Sequence, residues 1–247
     1  MEFQDILDEA TKPHIASLDF SAFSDRDIFN TVLQRSQVLH DQHRSGQIIR
    51  SWSNGDKGPL DEVVERMGVE LVARAAAANF LEYKELQPIL QELGPKKIAD
   101  IGCGYGFFDY FAARDLDAEI VLIDLEENDS RHFGFQEVGA AYSSLSVAKA
   151  FLVQNGIEAK RVKTVNPTKS DVGKIKGVDL ATSFLSCGFH YPLSTYGDFF
   201  GGVVGNGGAM IVDVRLTQGS EKDSELSAFG QLRDISAIEK RRRVLVS

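Results

Sequence analysis

The 247-residue sequence predicts an α/β fold, in which a mainly parallel sheet of seven strands with an antiparallel terminal strand follows a helical amino-terminal cap. Roughly the first ninety residues have helical spacing of apolar residues and lack the short apolar runs that mark buried strands. From Gly94 onward, short apolar runs alternate with helical stretches, which is typical of βαβ units. The last two runs are separated only by a basic turn, too short for a crossover, so we expect them to pair antiparallel.

The sequence predicts approximate bounds for each strand and helix. The predicted strands are Lys97–Ile101, Glu119–Asp124, Arg161–Val165, Val178–Phe184, Ala209–Val214, Leu232–Glu239 and Arg242–Val246. The predicted helices between them are Phe107–Arg114, Tyr142–Asn155, Leu193–Val204 and Glu221–Phe229. Before the sheet we expect a helix over Asp61–Arg74, which Gly68 could break, and a second over Ala75–Leu93, which Pro88 should kink or restart. Residues 1–93 are thus predicted to be a cap or lid, and residues 94–247 a cofactor-binding domain.

Composition narrows the class of protein. The hydrophobic share of 43% and the charged share of 26% are those of an ordinary globular protein. The formal net charge of −9 argues against nucleic acid or an anionic membrane as a partner. The two cysteines, Cys103 and Cys187, have no disulfide or zinc-ligand pattern, so we expect free thiols and no metal. The sequence shows neither a secretory signal nor a run suited to a membrane, and a cytoplasmic location is the expectation.

The strongest local signal is a glycine loop. It reads Lys97-Ile98-Ala99-Asp100-Ile101-Gly102-Cys103-Gly104-Tyr105-Gly106, a buried strand that runs into a turn and then a helix. Glycines there permit positive φ angles and let backbone amides approach a ligand. A tight strand-to-helix turn is the plainer interpretation, and a nucleoside-cofactor site is the functional one. The candidate contacts of the loop are Asp100, Gly102, Cys103, Gly104, Tyr105 and Gly106.

An acidic residue at the next strand end favours the functional interpretation. Asp124 lies 22 positions after Gly102, close to the spacing of a carboxylate that accepts hydrogen bonds from both ribose hydroxyls. The dinucleotide pattern is G-x-G-x-x-G, whereas this loop is G-x-G-x-G with Phe107 next. A nicotinamide oxidoreductase therefore becomes the less favoured alternative.

The loop with its preceding Asp100, together with the predicted sheet, resembles class I S-adenosylmethionine-dependent methyltransferases. That resemblance implies a Rossmann-like fold, S-adenosylmethionine as cofactor and S-adenosylhomocysteine as product. It also implies that Asp100 orders the loop and the methionine-portion contacts. Further cofactor contacts would come from Tyr83, Leu125, Asn166, Phe184 and Leu185, with Asn166 at the adenine edge and Tyr83 at the cofactor carboxylate. For Tyr83 simple packing, and for Asn166 a plain turn before Pro167, are the alternatives.

The segment after the fourth predicted strand is the candidate acceptor site, because ligands of open α/β sheets bind beyond the carboxyl ends of the strands. We expect Phe189, His190 and Tyr191 to face the substrate. His190 is the candidate general base, since histidine can take the proton that a hydroxyl acceptor must lose. A histidine that merely fixes a loop is the alternative. His132 and Arg215 are weaker candidates for substrate contacts, and a loop anchor and a surface salt bridge are their plainer roles.

The run Ser186–Pro192, followed by Ser194-Thr195-Tyr196, resembles bacterial sugar O-methyltransferases. Further likeness lies in Gly139–Leu145 and Asn79–Tyr83, so it spans most of the chain from about Trp52. The resemblance implies a small-molecule acceptor, a sugar or another metabolite, methylated on oxygen. Methylation of a nitrogen or a carboxylate, which would leave His190 dispensable, stays open as an alternative. So does a protein that binds the cofactor without catalysis.

Overall fold

Seven strands form one sheet in the structure, a computed structural model that describes residues 2–126, 143–238 and 240–247, without the side chains of residues 218–221. The strands are β1 (Lys97–Ile101), β2 (Glu119–Ile123), β3 (Val162–Val165), β4 (Leu180–Ser183), β5 (Ala209–Arg215), β6 (Leu232–Ile238) and β7 (Arg241–Val246). Their order across the sheet is β3-β2-β1-β4-β5-β7-β6. The pairs among the first five strands are parallel, and β7 pairs antiparallel with both β5 and β6. The predicted Rossmann-like fold class is confirmed.

The helices largely follow the apolar spacing of the sequence. They are α1 (Phe3–Ala10), α2 (Pro13–Ala16), α3 (Asp25–Gln34), α4 (Ser45–Ser53), α5 (Gly58–Met67), α6 (Val69–Leu93), α7 (Phe107–Leu116), α8 (Leu145–Gln154), α9 (Gly197–Gly205) and α10 (Gly219–Ser227). The helix predicted from Leu193 is a 3₁₀ turn, Leu193–Tyr196, before α9 begins. Among the described residues, no helix has the length and apolar character needed to cross a membrane.

The prediction for the helices before the sheet is wrong in one respect. Gly68 ends α5 with φ 53° and ψ −131°, and a single helix of 25 residues follows it without a break at Ala75. Pro88 lies inside α6 and does not restart it. Both Pro88 and Lys84, whose carbonyl loses its helical partner there, are exposed, so water can satisfy that carbonyl.

Helix α6 joins the amino-terminal helices to the sheet. It packs on α1 and α3 and also on α7, and one continuous apolar cluster includes residues of α3, α6, α7 and α8. The same cluster holds Ile98, Leu180, Ile211 and Leu245, which share one face of the sheet. The opposite face packs against α9 and α10. Division of the chain into a cap and a cofactor-binding domain stays a prediction.

Candidate functional site

The glycine loop at the end of β1 has the backbone that the sequence predicts. Gly102, Gly104 and Gly106 all have positive φ angles, between 58° and 80°. A Cβ atom on Gly102 would lie 2.4 Å from Oγ of Ser186. The absence of a side chain at Gly102 therefore lets the loop after β4 rest directly on the glycine loop, which brings the predicted cofactor and acceptor segments together.

Asp124, directly after β2, holds this loop in shape. Its carboxylate accepts hydrogen bonds from the backbone N–H of Gly104 (3.0 Å) and of Glu126 (2.8 Å). Burial raises the pKa of Asp124, and these N–H groups act in the opposite direction. Since each carboxylate oxygen can accept a second hydrogen bond, Asp124 can order the loop and still receive a hydroxyl donor.

Two further carboxyl groups are buried beneath the loop. Asp100 accepts a hydrogen bond from the Thr182 hydroxyl (2.7 Å), and the carboxyl group of Asp109 on α7 is close enough to interact with it. Burial raises the pKa of Asp100 to about 7, and burial together with the charge of Asp100 raises that of Asp109 well above its ordinary value. Two adjacent buried carboxyl groups cannot both ionise readily, so the pair shares a proton.

Helix α3 packs against the glycine loop. The Tyr105 hydroxyl donates to Asp27 (3.0 Å) and accepts from the Asn30 amide (3.4 Å), and burial raises its pKa. Further along α3, the Gln34 side chain lies 3.0 Å from the position that a Cβ of Gly104 would occupy. The amino-terminal part of the chain thus supplies a cover over the carboxyl end of β1.

Between α3 and the ends of β2 and β3 lies a cavity of about 540 Å³, a size common among small-ligand sites. Its lining residues are Arg26, Asp27, Asn30, Leu125, Glu126, Ser143, Ser144, Val147, Asn166, Thr168 and Lys169. Asn30 is 2% exposed, and its Oδ1 atom has no hydrogen-bond partner among the described residues. A buried carbonyl oxygen without a partner is costly, and a donor on a bound ligand would satisfy it.

Asn166 lies in this cavity, but its amide is engaged. The amide donates to the Leu125 carbonyl (3.3 Å) and to the Glu126 carboxylate (2.8 Å), and its oxygen accepts from Thr168. Glu126 also accepts from the backbone N–H of Leu145 at the start of α8 (3.1 Å). Sequence reasoning missed Glu126, which joins the exits of β2 and β3 to α8.

The loop after β4 is tightly constrained. Phe184 packs edge-on against Phe108 (4.8 Å between centroids) and lies beneath the Arg243 guanidinium (4.3 Å). Leu185 has φ 52°, a strained conformation for a branched side chain. Such strain persists only where the surrounding structure holds it, and it is frequent at ligand sites.

Two predicted substrate contacts instead bind each other. Phe189 is buried, its carbonyl accepts a hydrogen bond from Nε of Arg215 (2.8 Å), and its ring lies 5.2 Å below that guanidinium. The arginine thus fixes the loop, and the contact of Phe189 with a substrate stays a prediction. His190 is half-buried beside the Phe189 ring, and its backbone N–H donates to Ser186 (2.8 Å). Tyr191 is also half-buried, and its carbonyl accepts from Gly188.

Tyr83 and Cys103 were also predicted to contact the cofactor, and His132 was predicted to contact the substrate. Tyr83 donates its hydroxyl to Asp115 (2.9 Å), at the end of α7 remote from the glycine loop. This arrangement favours the packing alternative, and the contact of Tyr83 with the cofactor stays a prediction. Cys103 is a half-buried free thiol in the loop, and burial raises its pKa. His132 lies outside the described residues.

A buried charge network that the sequence did not reveal borders Phe184. The carboxylate of Glu82 on α6 is held by Arg35 (2.9 Å) and lies within 4 Å of Arg241 and Arg243 on β7. Arg243 in turn forms two hydrogen bonds with Asp213 on β5 (2.7 and 2.9 Å). Burial would raise the pKa of Glu82, but the arginines more than offset it and lower the pKa to about 2. These ion pairs connect the helices before the sheet with β5 and β7.

Comparison with known proteins gives no family. No family model matches the chain, and no curated protein matches it. Among solved structures, the methyltransferase domain of bacterial CtHen1 aligns at 15% identity and a TM-score of 0.47, over 67% of this chain and 97% of that one. Magnesium protoporphyrin IX methyltransferase (ChlM) from Synechocystis PCC 6803, with bound SAM, aligns at 11% identity and 0.46, over 90% and 96%. An O-methyltransferase family protein from Burkholderia thailandensis aligns at 11% identity and 0.43, over 90% and 71%. None of these likenesses carries an argument about what this chain binds.

Proposed function

We propose that this protein is an S-adenosylmethionine-dependent methyltransferase that acts on an oxygen atom of a sugar or another small metabolite. The observation that carries the proposal is the junction of the glycine loop with Asp124 at the carboxyl ends of β1 and β2, beside the cavity under α3. Ligands of open α/β sheets bind at this edge.

The residues around the cavity fit a nucleoside. Asp124 has acceptor capacity left for ribose hydroxyls, and the unpartnered Oδ1 of Asn30 offers a second acceptor. Leu125 supplies apolar surface in the same lining. The cofactor would bring a methyl group bound to a positively charged sulfur, and the carboxylate of Asp124, with the Asp100–Asp109 pair that retains one proton, gives the surrounding protein a compatible negative charge.

Transfer of a methyl group from such a sulfur is an in-line displacement, so alignment of acceptor and methyl supplies much of the catalysis. The constrained loop after β4 serves that purpose, because the close approach of Ser186 to Gly102 fixes the distance between this loop and the glycine loop. In this proposal His190 takes the proton that the acceptor hydroxyl loses. The sugar class itself is supported by the resemblance of the Ser186–Pro192 segment.

A methyl-transfer assay with labelled S-adenosylmethionine and a panel of sugars, sugar nucleotides and small hydroxylated metabolites tests the proposal. Wild-type protein should methylate at least one of them on oxygen. His190→Ala should lower turnover at least about 100-fold, the scale of lost general-base catalysis, and leave cofactor affinity unchanged. His43→Ala, a change of the same kind at an exposed position, should behave as wild type.

Other outcomes point to the alternatives. Full turnover by His190→Ala would contradict the assigned base and favour a nitrogen or carboxylate acceptor. Cofactor binding without transfer to any member of the panel would favour a binding protein without catalysis.

A further inference from the structure

The crossover from β3 to β4 leaves part of the sheet without a helix above it. Residues 166–179 are all described, and their only helical element is one 3₁₀ turn, Val172–Lys174. By contrast, the crossovers after β1 and β4 contain the helices α7 and α9. As a result, the face of β2 and β3 opposite α8 forms the floor of a groove of about 620 Å³. We refer to it as the lysine groove.

Lysines dominate its walls. Five of the ten lining residues are Lys97, Lys163, Lys169, Lys174 and Lys176, and Asp171 is the single acid among the ten. Lys163 projects from β3 itself, in register with Val121 of β2. Two acids lie beside Lys97 outside this lining: Glu119, in register with it at the amino end of β2, and Asp179, whose carboxylate accepts from the Lys97 backbone N–H (2.9 Å). This concentration of positive charge is formed by a chain whose net charge is −9.

Two of the lysines form hydrogen bonds within the wall of the groove, and the other three are exposed in its lining. Lys97 donates to the carbonyl of Lys176 (2.7 Å), and Lys176 donates to that of Gly173 (2.9 Å). Lys163, Lys169 and Lys174 are exposed. In the described part of the chain, no carboxylate forms an ion pair with any of these three lysines.

Like charges held close together repel one another, and a ligand with two or more negative charges relieves that repulsion. Lysine is a common point-charge partner of phosphate. A long polyanion would feel the negative field of the whole chain, whereas a small one responds to the local charges. The floor also offers apolar surface, because Val165 and Ile175 are half-buried.

We propose that the lysine groove binds a small ligand in which a diphosphate is attached to an apolar or planar body, the chemistry of a nucleoside diphosphate. The site is separate from the proposed methyl-transfer function and does not depend on it. Lys163 and Lys174 would hold the phosphates, and Val165 and Ile175 would contact the body.

Calorimetric titration of the full chain with uridine diphosphate and with pyrophosphate tests the proposal. Uridine diphosphate is the chosen nucleotide because it lacks the adenine that the cavity under α3 could accept. It should bind more tightly than pyrophosphate, by about threefold or more, and added salt should weaken both. The Lys163→Gln/Lys174→Gln variant should bind uridine diphosphate at least about tenfold more weakly. Lys169 is left unchanged because it also lines the other cavity.

A matched variant, Lys57→Gln/Lys84→Gln, removes the same charge from exposed positions elsewhere and should bind as wild type. Thermal unfolding should show that both double variants remain folded. The proposal is overturned if neither probe binds, if the matched variant weakens binding equally, or if pyrophosphate binds as tightly as uridine diphosphate.

Discussion

The carboxyl groups of Asp100 and Asp109 link stability to pH. Burial raises the pKa of Asp100 from 3.8 to about 7 and that of Asp109 upward as well, so the folded chain retains protons that the unfolded chain releases. Stability from this pair is fully present below pH 3.8 and is lost as the pH rises towards about 7. In Asp109→Asn an amide donates to Asp100 at every pH, so the decline should be flatter.

Urea unfolding at pH 5, 6, 7 and 8 measures this effect. Wild type should lose stability across the series, and Asp109→Asn should lose less. Glu65→Gln, which removes an exposed acid on α5, should keep the wild-type slope. Equal slopes for all three proteins would contradict a shared proton.

At the scale of single residues, the sequence predicted the backbone of the glycine loop and the nearness of Asp124 to it, because this signal is local. The glycine loop and Asp124 lie within 22 positions of one another, and strand ends determine where they meet. The partners of Tyr83, Phe189 and Arg215 in the structure could not be predicted, because proximity to a strand end does not reveal which neighbour a side chain contacts. Asn30 was missed since only the placement of α3 over the loop brings it to the cavity.

Among the secondary-structure elements, the junction between α5 and α6 depends on one glycine. Gly68 has φ 53° and ψ −131°, a combination that side chains disfavour, although nothing lies within 4 Å of a Cβ built there. Gly68→Ala should therefore lower the free energy of unfolding by about 1–3 kcal/mol through backbone strain alone.

Gly46→Ala is the matched control. Gly46 lies inside α4 with open space around it, so alanine there should leave stability unchanged or raise it by up to about 1 kcal/mol. Chemical denaturation of both variants gives the comparison. If Gly68→Ala left the free energy of unfolding unchanged, the junction would not need this backbone conformation.

Strand bounds were predictable to within two residues, and the most regular signals are the apolar runs of β1, β2, β4 and β5, which are closed by polar residues or glycine. The run from Val178 to Phe184 was the least accurate, since only Leu180–Ser183 pair with neighbours. Pro88 does not restart the helix, because a proline inside a helix is tolerated where the affected carbonyl meets water. Such tolerance depends on exposure, which local sequence does not specify.

Across the whole molecule, the network around Glu82 connects helices and sheet. Glu82→Gln removes the negative charge that faces Arg35, Arg241 and Arg243 and leaves these arginines undercompensated. Loss of one partner of a buried ion pair costs about 3–5 kcal/mol, and we expect a loss near the lower end because the Glu82 side chain is 13% exposed.

Glu92→Gln breaks an exposed pair with Arg233 and should cost less than about 1 kcal/mol. Urea denaturation of the two variants distinguishes the sites. Similar losses would contradict a structural role for the network. No sequence pattern indicated it, because Arg35 and Glu82 are 47 residues apart and meet only in the folded chain.

In the proposed function, the glycine loop and Asp124 form the site for S-adenosylmethionine. Calorimetric titration of wild type, Asp124→Ala and Glu119→Ala with S-adenosylmethionine and S-adenosylhomocysteine tests this assignment. Glu119 is an exposed acid at the other end of β2 and serves as the control. We predict binding at one site by wild type and Glu119→Ala, and affinity at least about tenfold weaker in Asp124→Ala. Absence of binding by the wild-type protein, or equal affinity in Asp124→Ala, would contradict the claim.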